Sequence, residues 1–315
     1  MSFSRALRIG TRGSLLALWQ ARWVQSRLQA VHPGLEVVLE IIKTQGDKIL
    51  DVPLAQVGGK GLFVKELEEA MLEDRTDLAV HSMKDVPAEF PPGLGLAAVL
   101  EREDPRDALL SVHFNSLDEL PQGARVGSSS LRRQSQIKRL RPDLQVVSLR
   151  GNVNTRIAKL EAGEFDAILL AAAGVKRLAM TQQVKQYLEP DQMLPAIGQG
   201  AVGVEARLGD EAVLALLRPL DHAPTRICVE AERAFLATLE GGCQVPIAGH
   251  AQWQGDALRL QGLVGDLEGR RVVEETMEGS ASDPAALGVA LAHRLLDQGA
   301  AAILADVYHG AAVRT

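Results

Sequence analysis

The stretch Ala124-Arg125-Val126-Gly127-Ser128-Ser129-Ser130-Leu131-Arg132-Arg133 decides the fold. Ala124 to Gly127 reads as a short buried strand. The serines form a turn, and a helical pattern runs from Leu131 to Leu140. A hydroxyl just before a helix caps its free N–H groups. Val146 to Leu149 is the next strand, Asn152 to Ala162 a helix, and Phe165 to Ala172 a buried strand. Strands alternating with helices in this way predict an α/β unit with a mainly parallel sheet.

The same grammar appears upstream. Leu7 to Gly10 is strand-like, and Ser14 can cap a helix to about Val31. Glu36 to Ile42 is a strand, Leu62 to Asp74 a helix, and Leu78 to Val80 a short buried strand. Lys43 to Gly61 carries Gly46, Pro53, Gly58, Gly59 and Gly61, and reads as a long mobile loop. Ala201 to Glu205 is an apolar strand that can return to this first unit. From Asp221 the pattern changes. A helix, Thr225 to Leu239, leads into Glu240-Gly241-Gly242-Cys243. Three strand-like segments follow, Ala248 to Gln254, Leu258 to Val264 and Arg271 to Met277, then a helix from Pro284 to Leu296. Consecutive strands with short turns predict an antiparallel sheet. The expected fold class is therefore two α/β lobes plus a C-terminal α+β domain. The expected divisions are 1–102 with 198–219, 103–197, and 220–315.

Composition narrows the function. At 315 residues the chain exceeds one ordinary core. Aromatic residues at 3% leave little for stacking single-stranded nucleic acid, and a formal net charge of −6 argues against a general polyanion binder. The longest apolar run, Ala167 to Val175, is too short to span a bilayer. The two cysteines, Cys228 and Cys243, make no disulfide framework. The N-terminus does not read as a secretory signal, so the expected location is cytoplasmic.

Four segments can carry chemistry. His81-Ser82-Met83-Lys84-Asp85-Val86-Pro87 follows a buried strand, where α/β sheets place ligand sites. There Asp85 can transfer protons or stabilise a cation, beside Lys84. Taken alone it also fits a polar loop, and His81 reads as structural. Ser128 to Arg133 joins a capped helix start to two arginines, which suit carboxylates. Arg150-Gly151-Asn152 with Arg156 repeats that arrangement at the next turn, and Thr11-Arg12-Gly13-Ser14 echoes it. These turns are expected to line one cleft. Gly241-Gly242-Cys243-Gln244 presents a thiol as nucleophile or covalent anchor, whereas Cys228 reads as a small core residue. No cysteine or histidine has zinc-ligand spacing, so no metal is expected.

Those segments, with Leu149-Arg150-Gly151-Asn152-Val153, Pro195-Ala196-Ile197-Gly198-Gln199-Gly200 and Glu240 to Pro246, resemble the signatures of the porphobilinogen deaminase family. They stand in the family's order and span nearly the whole chain. The resemblance implies two lobes similar to type II periplasmic binding proteins, hinge strands, and a third domain carrying the cofactor cysteine. It implies head-to-tail condensation of four porphobilinogen molecules to hydroxymethylbilane with loss of ammonia, in tetrapyrrole biosynthesis. It implies a dipyrromethane primer held to Cys243 by a thioether.

By the resemblance Asp85 is the catalytic group. Lys84, Asp85, Ser129, Ser130, Arg132, Arg133 and Arg156 contact the cofactor. Arg12, Ser14, Lys60, Ser82, Arg150, Arg177, Gln199 and Gly200 belong to the substrate side, and 43–61 is a lid. It also implies a monomer that binds neither nucleic acid nor membrane. Gln56 and Gly13 depart from the family's pattern. The main alternative is a non-catalytic two-lobed protein that binds small anions. A cysteine-nucleophile hydrolase is weaker, since no histidine is evidently paired with Cys243.

Overall fold

The computed structural model describes residues 5–48, 61–240 and 245–312. It divides into two compact units, one of residues 5–48, 61–103 and 201–226, the other of 104–200 and 227–312.

The first unit opens with β1 (Leu7–Thr11) and α1 (Leu15–Val31). Ser14 caps α1 as its hydroxyl accepts the Ala17 N–H, and Gln20, Ala21, Val24 and Leu28 form the buried stripe. Next come β2 (Val37–Ile41), a short α2 (Gln45–Lys48), α3 (Lys65–Leu72), β3 (Leu78–Ser82) and β4 (Leu94–Val99). In the second unit lie β5 (Asp107–Leu110), β6 (Arg125–Gly127), α4 (Leu131–Leu140) and β7 (Gln145–Val147). They are followed by α5 (Val153–Glu161), β8 (Ala167–Ala171), α6 (Ala172–Arg177) and β9 (Val184–Leu188). The chain re-enters the first unit as β10 (Val202–Arg207) and α7 (Glu211–Leu217), and α8 (Ala223–Thr238) belongs from residue 227 to the second unit.

The two α/β sheets share one plan. Their strand orders are β2-β1-β3-β10-β4 and β7-β6-β8-β5-β9. In the first, β1 pairs in parallel with β2 and β3, while β10 is antiparallel to β3 and β4. In the second, β6 is parallel to β7 and β8, and β5 is antiparallel to β8 and β9. Each sheet is thus mainly parallel, as expected, with one reversed strand next to the last. The return of the 201–205 region to the first sheet was legible in its apolar run. β5 was not, because four residues carry no period. Its residues are all buried, as befits an interior strand.

The C-terminal part is the expected antiparallel meander, β11 (Ile247–Gln254), β12 (Ala257–Gly265) and β13 (Val272–Ser280). Phe235 of α8 packs with Leu258, Leu260 and Leu291 in one core. Here α9 (Pro284–Leu295) crosses α8 so closely that a Cβ on Gly288 would lie 2.2 Å from the Ala231 carbonyl oxygen. A last helix, α10 (Ala301–Ala312), lies beyond the helix read from the sequence. A turn with Gly299 at φ 108° separates the two. Among the described residues no helix is long and apolar enough to cross a membrane.

Candidate functional site

In the first unit, Arg12, Ser14, Gln20, Phe63, Ser82 and Asp85 line one pocket. It sits where β1 and β3 end, because both strands run in parallel and stop at Thr11 and Ser82. The chain then turns through a single 3₁₀ turn, Met83–Asp85, held by the Met83 N–H donating to the Ala201 carbonyl at 3.0 Å. Met83 is buried beneath this turn.

The polar groups differ in how far they are engaged. The Arg12 guanidinium lies 4.2 Å from the Phe63 ring centre, and its Nε donates to Asp47 Oδ1 at 3.1 Å. Burial alone would raise the Asp47 pKa, but Arg12 and Thr44 outweigh it and hold the carboxyl below its usual range. Ser82 Oγ accepts from Gln20 Nε2 at 2.9 Å. By contrast, the half-buried Asp85 carboxylate has no hydrogen bond or ion pair to any described residue. Lys84 beside it is also half-buried. Lys60 and Cys243 lie outside the described residues, as does most of the expected lid.

Behind β3, His81 Nε2 stands 2.9 Å from Glu205 Oε2 on β10, and both are buried. Glu68 of α3 belongs to this cluster. Its carboxyl is pushed up to about 7 by burial first and by the Glu205 charge second, partly offset by His81. His81 also lines the pocket of Asp85, so the pairing with Glu205 fixes its ring at the pocket wall. Glu68 and Glu205 were not legible, since they are far apart in the chain and meet only through sheet pairing.

The second unit carries the arginine turns. Ser130 caps α4 by accepting the Arg133 N–H, and Asn152 caps α5 by accepting the Thr155 N–H. Ser129 Oγ joins the two turns. It lies 3.0 Å from Ser148 Oγ and donates to the Leu149 carbonyl at 2.8 Å. The two strand-end turns are therefore neighbours, as the repeated pattern predicted. Arg150 and Arg156 are half-buried there, with Arg156 Nε donating to the Gly151 carbonyl at 2.7 Å. The guanidiniums of Arg150 and Arg156 at these capped helix starts are donors of a kind that suits carboxylates.

Arg132 and Arg133 are not surface groups. Asp107, wholly buried, lies 2.7 Å from a guanidinium nitrogen of each. Arg133 directs Nε and Nη2 to Asp107 and Nη1 to the Leu169 carbonyl. Like Arg132, it is buried and braced by the fold. Arg132 Nη1 donates to the Leu194 carbonyl at 2.7 Å and touches Asp107 as an ion pair. Its Nε and Nη2 have no described partner and are not among the fully enclosed unpaired atoms. Burial would raise the Asp107 pKa, but the two guanidiniums hold it far below the ordinary carboxylate range.

Gln199, also buried, donates to Asp107 at 3.0 Å and to the Pro105 carbonyl at 2.6 Å. Arg177 donates to the Gly200 carbonyl at 2.7 Å. Asp107, the buried counter-ion of both arginines, is the residue of this cluster that sequence reading missed. Its only signal was an acid at the start of a short strand. Among the described residues no group of three or more His, Cys, Asp or Glu is placed to hold a metal ion.

Two mixed α/β sheets of one topology, an antiparallel C-terminal sheet and arginine-bearing capped turns define a multidomain α/β protein equipped for carboxylate ligands. The chain belongs to the porphobilinogen deaminase family. The family model "Porphobilinogen deaminase, dipyromethane cofactor binding domain" matches residues 7–215, and "Porphobilinogen deaminase, C-terminal domain" matches 226–297. The cofactor of the matched domain is thus dipyrromethane, and the donor set at the two joined turns fits a group that carries carboxylates. Family membership does not favour the non-catalytic alternative.

Among solved structures the chain is similar to the periplasmic aliphatic sulphonate binding protein SsuA from Escherichia coli. Identity is 15% over 75% of this chain and 70% of that one, with a TM-score of 0.41. It is also similar to a nutrient binding protein from Burkholderia cenocepacia bound to methionine, at 13% identity over 67% and 90%, TM-score 0.42. The Bordetella pertussis BvgS periplasmic VFT2 domain gives 14% over 67% and 85%, TM-score 0.43.

Proposed function

We propose that this chain is a hydroxymethylbilane synthase. It joins four porphobilinogen molecules head to tail, releases ammonia from each, and works as a monomer in the cytoplasm. The observation that carries this reading is the Asp85 carboxylate. It lines a pocket with Arg12, Ser14 and Ser82, and no described residue takes up its charge. An unengaged acid at a strand end is free to hold a proton for a leaving amine, to accept one from a condensing pyrrole, and to stabilise the cation formed in between.

The surrounding residues divide the remaining work. Arg12 and Ser14 supply donors for a substrate carboxylate, and Ser82 is oriented by Gln20. Ser129, Ser130, Arg132, Arg133, Arg150 and Arg156 hold the carboxylates of the cofactor and growing chain. Asp107, the shared counter-ion, sets the position of Arg132 and Arg133. Arg177, Gln199 and Gly200 shape the segment leading into β10. Lys84 stands with Asp85 on the cofactor side, and Lys60 with the 43–61 segment acts as a lid over the substrate. Dipyrromethane, bound through Cys243, supplies the primer to which pyrrole units are added.

Intact mass tests this. The purified protein is expected to carry a covalent dipyrromethane adduct, and Cys243→Ser is expected to lack it. An active protein of unmodified mass overturns the reading.

A further inference from the structure

Residues 194–200 form a strap with two bonded sides, both inside the second unit. On one side it grips the arginine pair. The Leu194 carbonyl accepts from Arg132 at 2.7 Å, and the Leu194 N–H donates to Gln136 of α4 at 2.7 Å. At the other end of the strap Gln199 donates to Asp107, the shared counter-ion of Arg132 and Arg133.

On its second side the strap is held by the C-terminal sheet and α8. Leu194 packs with Ala248 and Leu263, and Ile197 packs in the core around Phe235. The Gly249 N–H donates to the Pro195 carbonyl at 3.0 Å. The centre of this attachment is Glu232 of α8, fully buried. One carboxylate oxygen accepts the Gly198 N–H at 2.7 Å, and the other accepts the Ala251 N–H of β11 at 2.8 Å. His250 Nδ1 lies 3.6 Å from it. A buried carboxylate takes such bonds only with fixed geometry, because leaving its charge or those N–H groups unmet is costly. Gly198 and Gly200 make the strap's bend possible, with φ at 67° and 90°, where other side chains are strained.

We propose that Glu232 is a positioning residue. It registers α8, the helix that precedes Cys243 in the chain, against Arg132 and its counter-ion, so that a primer tethered at that cysteine meets its carboxylate donors in the right place. The claim rests on the synthase reading, because it needs a primer on Cys243. It assigns to α8 a task beyond packing: one face fills the core and one acid aligns the strap.

The test uses full-length protein as purified, in three forms: wild type, Glu232→Gln and Gly198→Ala. The first variant keeps side-chain length but replaces one acceptor oxygen by a donor. The second disturbs the same link from the strap side without altering any charge. Intact mass gives adduct occupancy and the distribution of bound chain lengths during turnover. Steady-state kinetics separate kcat from KM.

Both variants are expected to show reduced occupancy and a build-up of short chains. Their kcat is expected to be lower by about tenfold or more, with KM for porphobilinogen little changed, as for misplaced reactants. Folded variants with wild-type occupancy, chain lengths and kcat overturn the proposal. If Glu232→Gln does not accumulate as folded protein, Gly198→Ala decides in the same terms. A wild-type protein without adduct overturns the synthase reading, and the proposal falls with it. A loaded, active wild type with unaffected variants defeats the proposal alone.

Discussion

Nη2 of Arg133 lies 2.7 Å from Oδ1 of Asp107, which is completely closed to solvent. A buried charge pair of this kind contributes modestly to net stability, but breaking one side leaves an uncompensated ion. Here the acid has two guanidiniums, so its removal strands both.

Asp107→Asn is therefore expected to lower unfolding free energy by about 3–5 kcal/mol, read from urea titration. The pKa of Asp107 is depressed in the fold, so its stabilisation is present above the unfolded carboxylate range, near 3.9, and is lost as pH falls below it. The variant should flatten the acid limb of stability. Arg132→Leu should in addition block cofactor assembly, visible as apo mass. A normal holo-protein from that variant contradicts the donor role of Arg132.

Asp85→Asn should behave in the opposite way. With no described partner to lose, its stability should stay within about 0.5 kcal/mol of wild type. Turnover should fall by roughly 10²–10⁴-fold. Product formation above a tenth of the wild-type rate removes Asp85 from proton transfer.

Glu68 gives a pH signature of its own. Its pKa is raised from 4.5 to about 7. Between those values the folded protein holds a proton that the unfolded chain has released, so stability falls as pH rises through that window and the full penalty persists above it. Glu68→Gln should match wild type near the acid end and exceed it by about 1–3 kcal/mol at alkaline pH. Denaturation midpoints that shift equally at both ends argue against this account.

Arg12→Leu removes a guanidinium that holds Asp47 and lines the pocket. Loss of a charged hydrogen bond to substrate corresponds to about tenfold or more in binding. The KM for porphobilinogen should rise accordingly while the adduct mass stays intact. An unchanged KM places Arg12 outside substrate binding.

Much was legible along the chain. The caps Ser14 and Ser130 stand one residue before their helices, because a hydroxyl answers free N–H groups locally, whereas Asn152, read as the first helical residue, is itself a cap. The alternation of strand and helix, the return of β10 and the final antiparallel meander likewise follow from local pattern and length. So do the two neighbouring arginine turns, which repeat one motif at consecutive strand ends.

What pairs across the chain was decided only by the tertiary structure. Asp107 meets Arg132 and Arg133, Glu205 meets His81, and Glu232 meets Gly198 because sheet order and core packing bring distant segments together. Local sequence carries the chemistry of each group and its preferred turn. It does not carry which charge will neutralise it once water is excluded. That choice gave Arg132 and Arg133 one buried counter-ion and left Asp85 with no partner among the described residues.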